Sequence, residues 1–474
     1  MAKRPQPAPA MRHAEALLVT GLDPSGAGTA LTPEGLEVLI PGALPGARVS
    51  CDYLPPRPGG RRGLAAGCTE LEPSPDLDPV RCPLARECGG CPAGRLAYPR
   101  ELALKTQTLV VKPLVEAGFD AALVLDPVGH PETARTGWRN KAVLYPGLIG
   151  GEPHFGYYRA RSQELVAAES CPQTPAWMGE AARSLAPLLL GPGLAPWREA
   201  DDAGALRALL LREAPGTGER LAALVMRRLP EDLQAREALF GRVRTALRPH
   251  GLTSLLVNLH EAPGSAVLSF APDATRVIDG RATIRAEWMG LSFEVGAQTF
   301  LQVNTPQTPV LYRTALDALG ITEEDRVLDL YCGVGTLTLL AARRARGVFG
   351  VERVEASIAC ARENARVNGL TNARFTAAPV EQLLASGLPD GWRPTLVIAD
   401  PAYQGLAGGA AEALAQLLAA SGARRLAYVS CNPKSFARDA QVLARGGMAL
   451  RSVTPVDMFP GAMHLEVVGV FERT

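Results

Sequence analysis

Cys431 follows the apolar run Tyr428-Val429-Ser430 and opens a polar turn, Asn432-Pro433. A thiol at the point where a buried strand runs out is positioned to attack a bound electrophile once its proton has left. A free cysteine more often serves as a small buried hydrophobe; Cys51, Cys68 and Cys360 read that way, and Cys332 reads as part of a turn. Ionising an ordinary thiol at neutral pH costs about 2 kcal/mol, which positive or dipolar neighbours must offset. Downstream, Asp457-Met458-Phe459-Pro460 leads to His464-Leu465-Glu466 at the start of another apolar run. Alternation puts His464, Glu466 and Val468 on one strand face. A carboxyl on a buried face requires a partner or a task, and accepting a proton is the task of a general base. A solvated acid at a strand start is the plainer alternative.

A second group is built to hold a ligand. Leu328-Asp329-Leu330-Tyr331-Cys332-Gly333-Val334-Gly335-Thr336 places two glycines where a strand passes into a helix. Gly333 and Gly335 let the backbone approach a ligand closely. Glu352, 19 residues after Gly333, closes the next strand and can accept hydrogen bonds from both hydroxyls of a ribose. Such a turn serves NAD or S-adenosylmethionine; Leu337 stands near the place of the dinucleotide fingerprint's third glycine, which disfavours NAD. Asp400-Pro401 ends a further strand at the same rim. The sequence Asp400-Pro401-Ala402-Tyr403 resembles the D-P-P-Y loop of enzymes that methylate exocyclic amines, a rival chemistry with no need of Cys431. Phe300-Leu301-Gln302-Val303-Asn304 sets two amides on one face of an extended segment, suited to reading a base edge or to capping the turn at Thr305-Pro306.

Cys82, Cys88 and Cys91 are spaced C-x5-C-x2-C, and Cys171 follows in Ser170-Cys171-Pro172. Three thiols joined by glycine turns, with a fourth supplied by the fold, suit a tetrahedral zinc or a four-iron cluster. Buried free thiols are the alternative, and spacing alone leaves zinc and iron open.

These residues must be carried by several units. A chain of 474 residues corresponds to about three domains. Hydrophobic residues form 47% and charged residues 20%, which excludes wholesale disorder. Forty-nine basic and 48 acidic residues nearly cancel, so a nucleic-acid surface must be local. Only five of the basic residues are lysine. No apolar run reaches the ~18–20 residues of a membrane span, and Met1–Arg12, with Lys3 and Arg4, has no signal-peptide core; a cytoplasmic protein without a membrane partner is expected. Short apolar stretches within 13–72 predict a closed barrel of the oligonucleotide-binding kind, with Arg57, Arg61 and Arg62 in its longest loop. Residues 70–80 read as a linker and 98–118 as a helix. The stretch 130–295 mixes strands and helices, with strand candidates at Arg207–Arg212 and Leu221–Met226. From about 320, clean β/α alternation predicts an α/β fold of the doubly wound, Rossmann-like kind, ending in an antiparallel hairpin near 448–454 and 465–472.

In their order along the chain, Gln302-Val303-Asn304 after Phe300, the glycine turn, Glu352, Asp400-Pro401, Ser430-Cys431-Asn432-Pro433 and Asp457-Met458-Phe459-Pro460 with His464-Leu465-Glu466 resemble the RNA uracil-5-methyltransferases. Trp138-Arg139-Asn140-Lys141-Ala142 matches a further segment of that family. The resemblance implies a class I methyltransferase domain at 98–129 and 296–474, a TRAM barrel at 13–72, and a central α+β domain at 73–97 and 130–295. It implies a 4Fe–4S cluster on Cys82, Cys88, Cys91 and Cys171, Cys431 as nucleophile and Glu466 as base. S-adenosylmethionine would be held by Gln302, Tyr331, Gly333, Gly335, Thr336, Glu352 and Asp400. Barrel plus cluster is similar to members acting on 23S ribosomal RNA; tRNA methylation is the alternative, and an iron–sulfur RNA-binding or redox protein a third. No obligate protein partner is implied. Two departures stand out: Ala402-Tyr403 replaces the family's Pro-Arg, and Phe375–Pro379 lacks a polar side chain for an adenine.

Overall fold

The computed structural model describes residues 10–56, 59–78, 82–264, 266–271, 273–406 and 408–474. Arg57, Lys3 and Arg4 lie outside the described residues. Strands β1 (Arg12–Leu22), β2 (Gly28–Leu31), β3 (Glu37–Ile40), β4 (Arg48–Leu54) and β5 (Arg62–Glu72) close a barrel in the order β1-β2-β3-β5-β4. Val49, Cys51 and Tyr53 alternate inward from β4. β2 is only four residues long, too short to show a period in the sequence. The antiparallel register of β4 and β5 sets Cys51 opposite Cys68, and the two form a disulfide, which corrects their reading as free buried thiols. Cys68 is exposed, so no hydrophobic role holds it there; strand pairing brought the two together.

The central region is a seven-stranded sheet of β6 (Lys141–Ile149), β7 (Glu152–Tyr158), β8 (Leu165–Ala167), β9 (Leu206–Glu213), β10 (Arg220–Met226), β11 (Ser254–Leu259) and β12 (Thr275–Gly280), in the order β12-β11-β10-β9-β6-β7-β8. β9 and β10 contain the two strand candidates, Arg207–Arg212 and Leu221–Met226, but both are buried on both faces, so the alternation read at Arg207–Arg212 does not mark a solvent face. Ala208 and Leu210 of β9 join the core that runs into the C-terminal domain; Leu209 and Leu211 pack on the opposite side, against the helices Ala176–Leu185 and Leu233–Leu247. A hairpin, β13 (Ile284–Trp288) and β14 (Leu291–Val295), bridges the two regions.

The C-terminal sheet comprises β15 (Arg326–Leu330), β16 (Gly347–Glu352), β17 (Ala373–Ala377), β18 (Leu396–Ala399), β19 (Arg425–Ser430), β20 (Met448–Val456) and β21 (Glu466–Arg473), in the order β17-β16-β15-β18-β19-β21-β20. Five strands are parallel; β21 runs antiparallel to β19 and β20. The order reverses between β15 and β18, which opens a crevice at their C-terminal ends. Apolar side chains line both sheet faces, Val327, Ile398 and Val429 on one and Leu328, Val397 and Leu426 on the other; each fully buried side chain of this size contributes about 1.5–3 kcal/mol. The segment Tyr98–Glu116 is helical and takes a π-helical form at Thr106–Val111. Its Val110 and Leu114 enter the C-terminal core. No helix among the described residues is long and apolar enough to cross a membrane.

Candidate active site

The crevice is shaped by three left-handed residues after β15: Tyr331 (φ 65°), Gly333 (φ 54°) and Gly335 (φ 85°). A non-glycine residue in this region is strained, a state that folded structure must hold in place. A side chain at Gly335 would press on Phe375 and Ala361 at 3.2–3.3 Å, so glycine there is a packing demand; Gly333 has nothing within 4 Å and faces open space. Gly335 caps the helix Thr336–Ala342, and the Cys332 amide donates to the Val351 carbonyl, which fastens the turn to β16. Glu352 ends β16, and its Oε1 accepts from the Val354 amide at 3.0 Å.

Around this turn, among the described residues, no cation pairs with the buried acids Asp329, Asp400 and Glu466. Asp329 is buried in the middle of β15, with Thr338 Oγ1 donating to its Oδ2 at 2.5 Å. Burial, reinforced by Glu352, pushes its carboxyl up to about 7. Asp400, at the end of β18, is likewise pushed up to about 7 by burial and by Asp329. Glu466 opens β21 at 4% exposure, and its Oε2 has no hydrogen-bond partner among the described residues. Burial and the neighbouring Asp400 raise it well above the usual carboxylate range. Ser430 pairs with Val467, so Cys431 emerges level with Glu466. Burial, then Glu466 and Asp400, push the Cys431 thiol up to about 12. The thiol and the acids therefore share one low-dielectric space in which a single negative charge is costly and two are worse.

The Cys431 turn is itself fixed. Asn432 accepts from the Lys434 and Ser435 amides, capping the helix Pro433–Arg445, and its Nδ2 donates to the Tyr403 carbonyl at 2.9 Å. The loop after Asp400 is thus tied to the turn that carries the thiol. Tyr312, buried on the helix Thr308–Leu319 and hydrogen-bonded to Thr336, lies among Asp400, Asp329 and Glu466. Sequence reading did not single it out, and nothing in its local pattern marks it.

On the loop before β21 lies a second charged group of opposite character. Lys105 Nζ donates to Asp457 Oδ1 at 2.7 Å, to Glu101 Oε1 at 3.1 Å and to the Phe459 carbonyl at 3.0 Å. Tyr98 donates to Asp457 Oδ2 at 2.8 Å, and Glu101 Oε1 accepts from the Gly461 amide at 2.6 Å. Lys105, Glu101 and Asp457 are fully buried. This clamp holds the 457–461 loop that feeds Glu466. Of its members the sequence marked only Asp457, as the head of Asp457-Met458-Phe459-Pro460; Lys105 and Glu101 were not singled out.

Gln302 is buried, with its carbonyl accepting from Asn140 Nδ2 at 2.9 Å. Asn304 is spent on structure: its Nδ2 donates to the Met458 carbonyl and its Oδ1 accepts from the Gln307 amide. Of the two readings for this amide, capping is the one seen. His464 lies in the turn before β21 and is exposed, so it does not share a strand face with Glu466. Arg61 and Arg62 flank the start of β5, and Arg62 pairs with Glu37.

Cys82, Cys88, Cys91 and Cys171 share one neighbourhood. Burial, then Cys171, Cys88 and Cys82, push the Cys91 thiol up to about 12. Cys88 and Cys171 are raised for the same reasons. Raised in this way, Cys88, Cys91 and Cys171 hold their protons at neutral pH unless a positive centre joins them. Gln173 Nε2 donates to Cys91 Sγ at 3.0 Å and to the Pro460 carbonyl, so this neighbourhood abuts the 457–461 loop. Among the described residues, no three His, Cys, Asp or Glu side chains stand together as ligands of one metal ion.

Sheet order, glycine turn and rim acids define the class: a Rossmann-like methyltransferase, the fold of S-adenosylmethionine-dependent enzymes. A family model described as a methyltransferase domain matches residues 321–401. A protein of Halalkalibacterium halodurans, named an uncharacterized RNA methyltransferase, is 32% identical over 455 residues, 96% of each chain. One of Gloeobacter violaceus with the same name is 33% identical over 459 residues, again 96% of each. The chain belongs to this RNA methyltransferase family. The Pyrococcus abyssi tRNA (uracil-54, C5)-methyltransferase, solved with S-adenosyl-L-homocysteine, shares the fold with a TM-score of 0.74 at 23% identity, over 96% of this chain and 99% of that one.

Proposed function

We propose that this enzyme methylates carbon 5 of a uridine in RNA through a covalent cysteine adduct, with S-adenosylmethionine as donor. The observation that carries the reading is the grouping of Cys431, Asp400 and Glu466 at the crevice beside the glycine turn. Carbon 5 of uracil is too weak a nucleophile to take a methyl group unaided. In this reading Cys431 loses its proton to water, the thiolate sulfur bonds to carbon 6, the ring becomes an enolate, and carbon 5 takes the methyl group from the sulfonium, which leaves as the neutral thioether. Glu466 then removes the carbon 5 proton, the double bond re-forms, and the cysteine sulfur leaves. The target must be everted to enter the crevice, and Phe300, 62% exposed beside Gln302, offers a stacking face for RNA. Gln302, Tyr331, Gly333, Gly335, Thr336, Glu352 and Asp400 are the proposed donor contacts. An amine methylase would leave Cys431 without a task.

Cys82, Cys88, Cys91 and Cys171 are proposed to hold a 4Fe–4S cluster. Each thiolate then binds a different iron, so the four need not crowd a single ion. A cluster there would brace the Gln173–Pro460 junction; methyl transfer moves no net electrons.

For the substrate, 23S ribosomal RNA is our first reading, on the combination of barrel and cysteine group. The likeness in fold to a tRNA enzyme, which extends over nearly all of both chains, keeps tRNA as the second. RNA carrying 5-fluorouridine tests the chemistry: a stable protein–RNA adduct at Cys431 is expected, and active enzyme that forms none overturns it. Mapping 5-methyluridine in ribosomal and transfer RNA from cells with and without the gene decides the substrate.

A further inference from the structure

Lys141 of β6 and Arg212 of β9 are direct cross-strand partners on the face of the central sheet that meets the C-terminal domain. Arg212 is 1% exposed, and its Nη1 donates to the Gly296 and Thr299 carbonyls at 2.8 and 2.9 Å. Its Nε and Nη2 have no partner among the described residues, and neither has Nε of the nearby Arg139. Among those residues, no carboxylate pairs with any of the three cations, whereas Arg220 and Arg424 pair with Glu213 and Asp325. Burying unpaired cations costs several kcal/mol, a cost that an anionic ligand removes. Burial, then Arg212 and Arg139, pull the Lys141 ammonium down to about 7, as expected of a positive group waiting for a counter-charge.

The group adjoins the crevice segment. The Asn140 amide donates to the Val303 carbonyl, Arg139 bridges to Asn304, and Arg212 grips the chain just before Phe300. Arg139 also lies within electrostatic reach of Cys91 and Cys171, so it can serve the cysteine group; Lys141 and Arg212 have no such neighbour. Lys141 is half-buried and reachable. The unpaired Arg212 donors are closed off from solvent, so Arg212 contributes its charge from the interior, and the half-buried Lys141 ammonium is the point charge that can meet a phosphate. We infer that Lys141, with the buried Arg212 adding its charge from the interior, binds a backbone phosphate of the RNA next to the everted nucleotide. The inference rests on RNA being the substrate and deepens that reading.

The test is binding of a fluorescein-labelled oligouridine to the full chain across a salt series. Lys141→Gln is expected to weaken binding about tenfold and to lower the slope of log K against log salt by about one, with Lys141→Arg restoring both. A single neutral methylphosphonate walked along the RNA should weaken the unaltered protein at one position and leave Lys141→Gln indifferent there. An unchanged slope, or no such position, overturns the inference. A raised KM for the methyl donor with an unchanged slope also overturns it, since the anion would then be the donor's carboxylate. Because no methyl transfer is measured in the binding arm, failure of the 5-fluorouridine adduct and failure of this phosphate contact are separate results.

Discussion

Two buried charged groups lie near the start of β21, one on the loop before it and one at its first residue, and they are built on opposite principles. The Lys105–Glu101–Asp457 clamp is almost fully paired: one ammonium meets two carboxylates and a carbonyl, and Tyr98 completes Asp457. The rim group of Asp329, Asp400 and Glu466 holds three acids and a thiol with no cation paired to them among the described residues. A satisfied network rigidifies the loop it holds. An unsatisfied one raises the energy of the free protein and is relieved when something else arrives, here a positively charged sulfonium donor. The clamp sets where Glu466 begins; the rim sets what Glu466 can do.

This contrast makes removal of a rim residue a loss of activity and removal of a clamp residue a loss of stability. The largest effect is expected for Cys431→Ala: methyl transfer falls by about 10⁴-fold or more while the unfolding midpoint stays put. A variant that still forms 5-methyluridine at an appreciable rate would remove the thiol from the chemistry. Next, Glu466→Gln should slow turnover by roughly 10²–10⁴-fold and let a methylated protein–RNA adduct accumulate, visible on a denaturing gel. Free turnover in that variant would show that the rim acid is not the base. In the clamp, Lys105→Met leaves two carboxylates unpaired and should destabilise the fold by about 3–5 kcal/mol in urea unfolding. A shift below ~1 kcal/mol would erase the distinction between the two groups.

The smallest effect is a pH dependence. Asp329 and Asp400 titrate near 7 when folded and near 4 when unfolded. Between these values the folded protein keeps protons that the unfolded chain has released. Their contribution is therefore fully present at about pH 4, is lost as pH rises through about 7, and is flat above that. Relative to the unaltered protein, Asp329→Asn should lose less stability between pH 5 and 7, by about 1–3 kcal/mol. Equal slopes in the two proteins would mean that Asp329 is compensated after all.

Much of the rim could be read from the chain. Cys431, Asp400 and Glu466 each sit where an apolar run meets a polar turn, and parallel strands all end at one rim, so strand ends far apart in sequence become neighbours. Asp329, inside Val327-Leu328-Asp329-Leu330, carried the signal of a charge in an apolar strand but no hint of its partners. The clamp was invisible as a unit, because Lys105 and Asp457 are separated by 352 residues. The Cys51–Cys68 disulfide was missed for the same kind of reason, since the pairing of β4 with β5 is a property of barrel closure.

The amino-acid order alone determined the β/α alternation, the strained glycine turn and the three strand-end residues, because each is a local matter of side-chain size, polarity and backbone freedom. Only the tertiary structure decided which charges found partners. Pairing energy depends on distance and on exclusion of water, and neither exists until the sheets are stacked. That is why Lys105 became a clamp, while among the described residues Lys141 and Arg212 were left without a carboxylate and the rim acids without a cation.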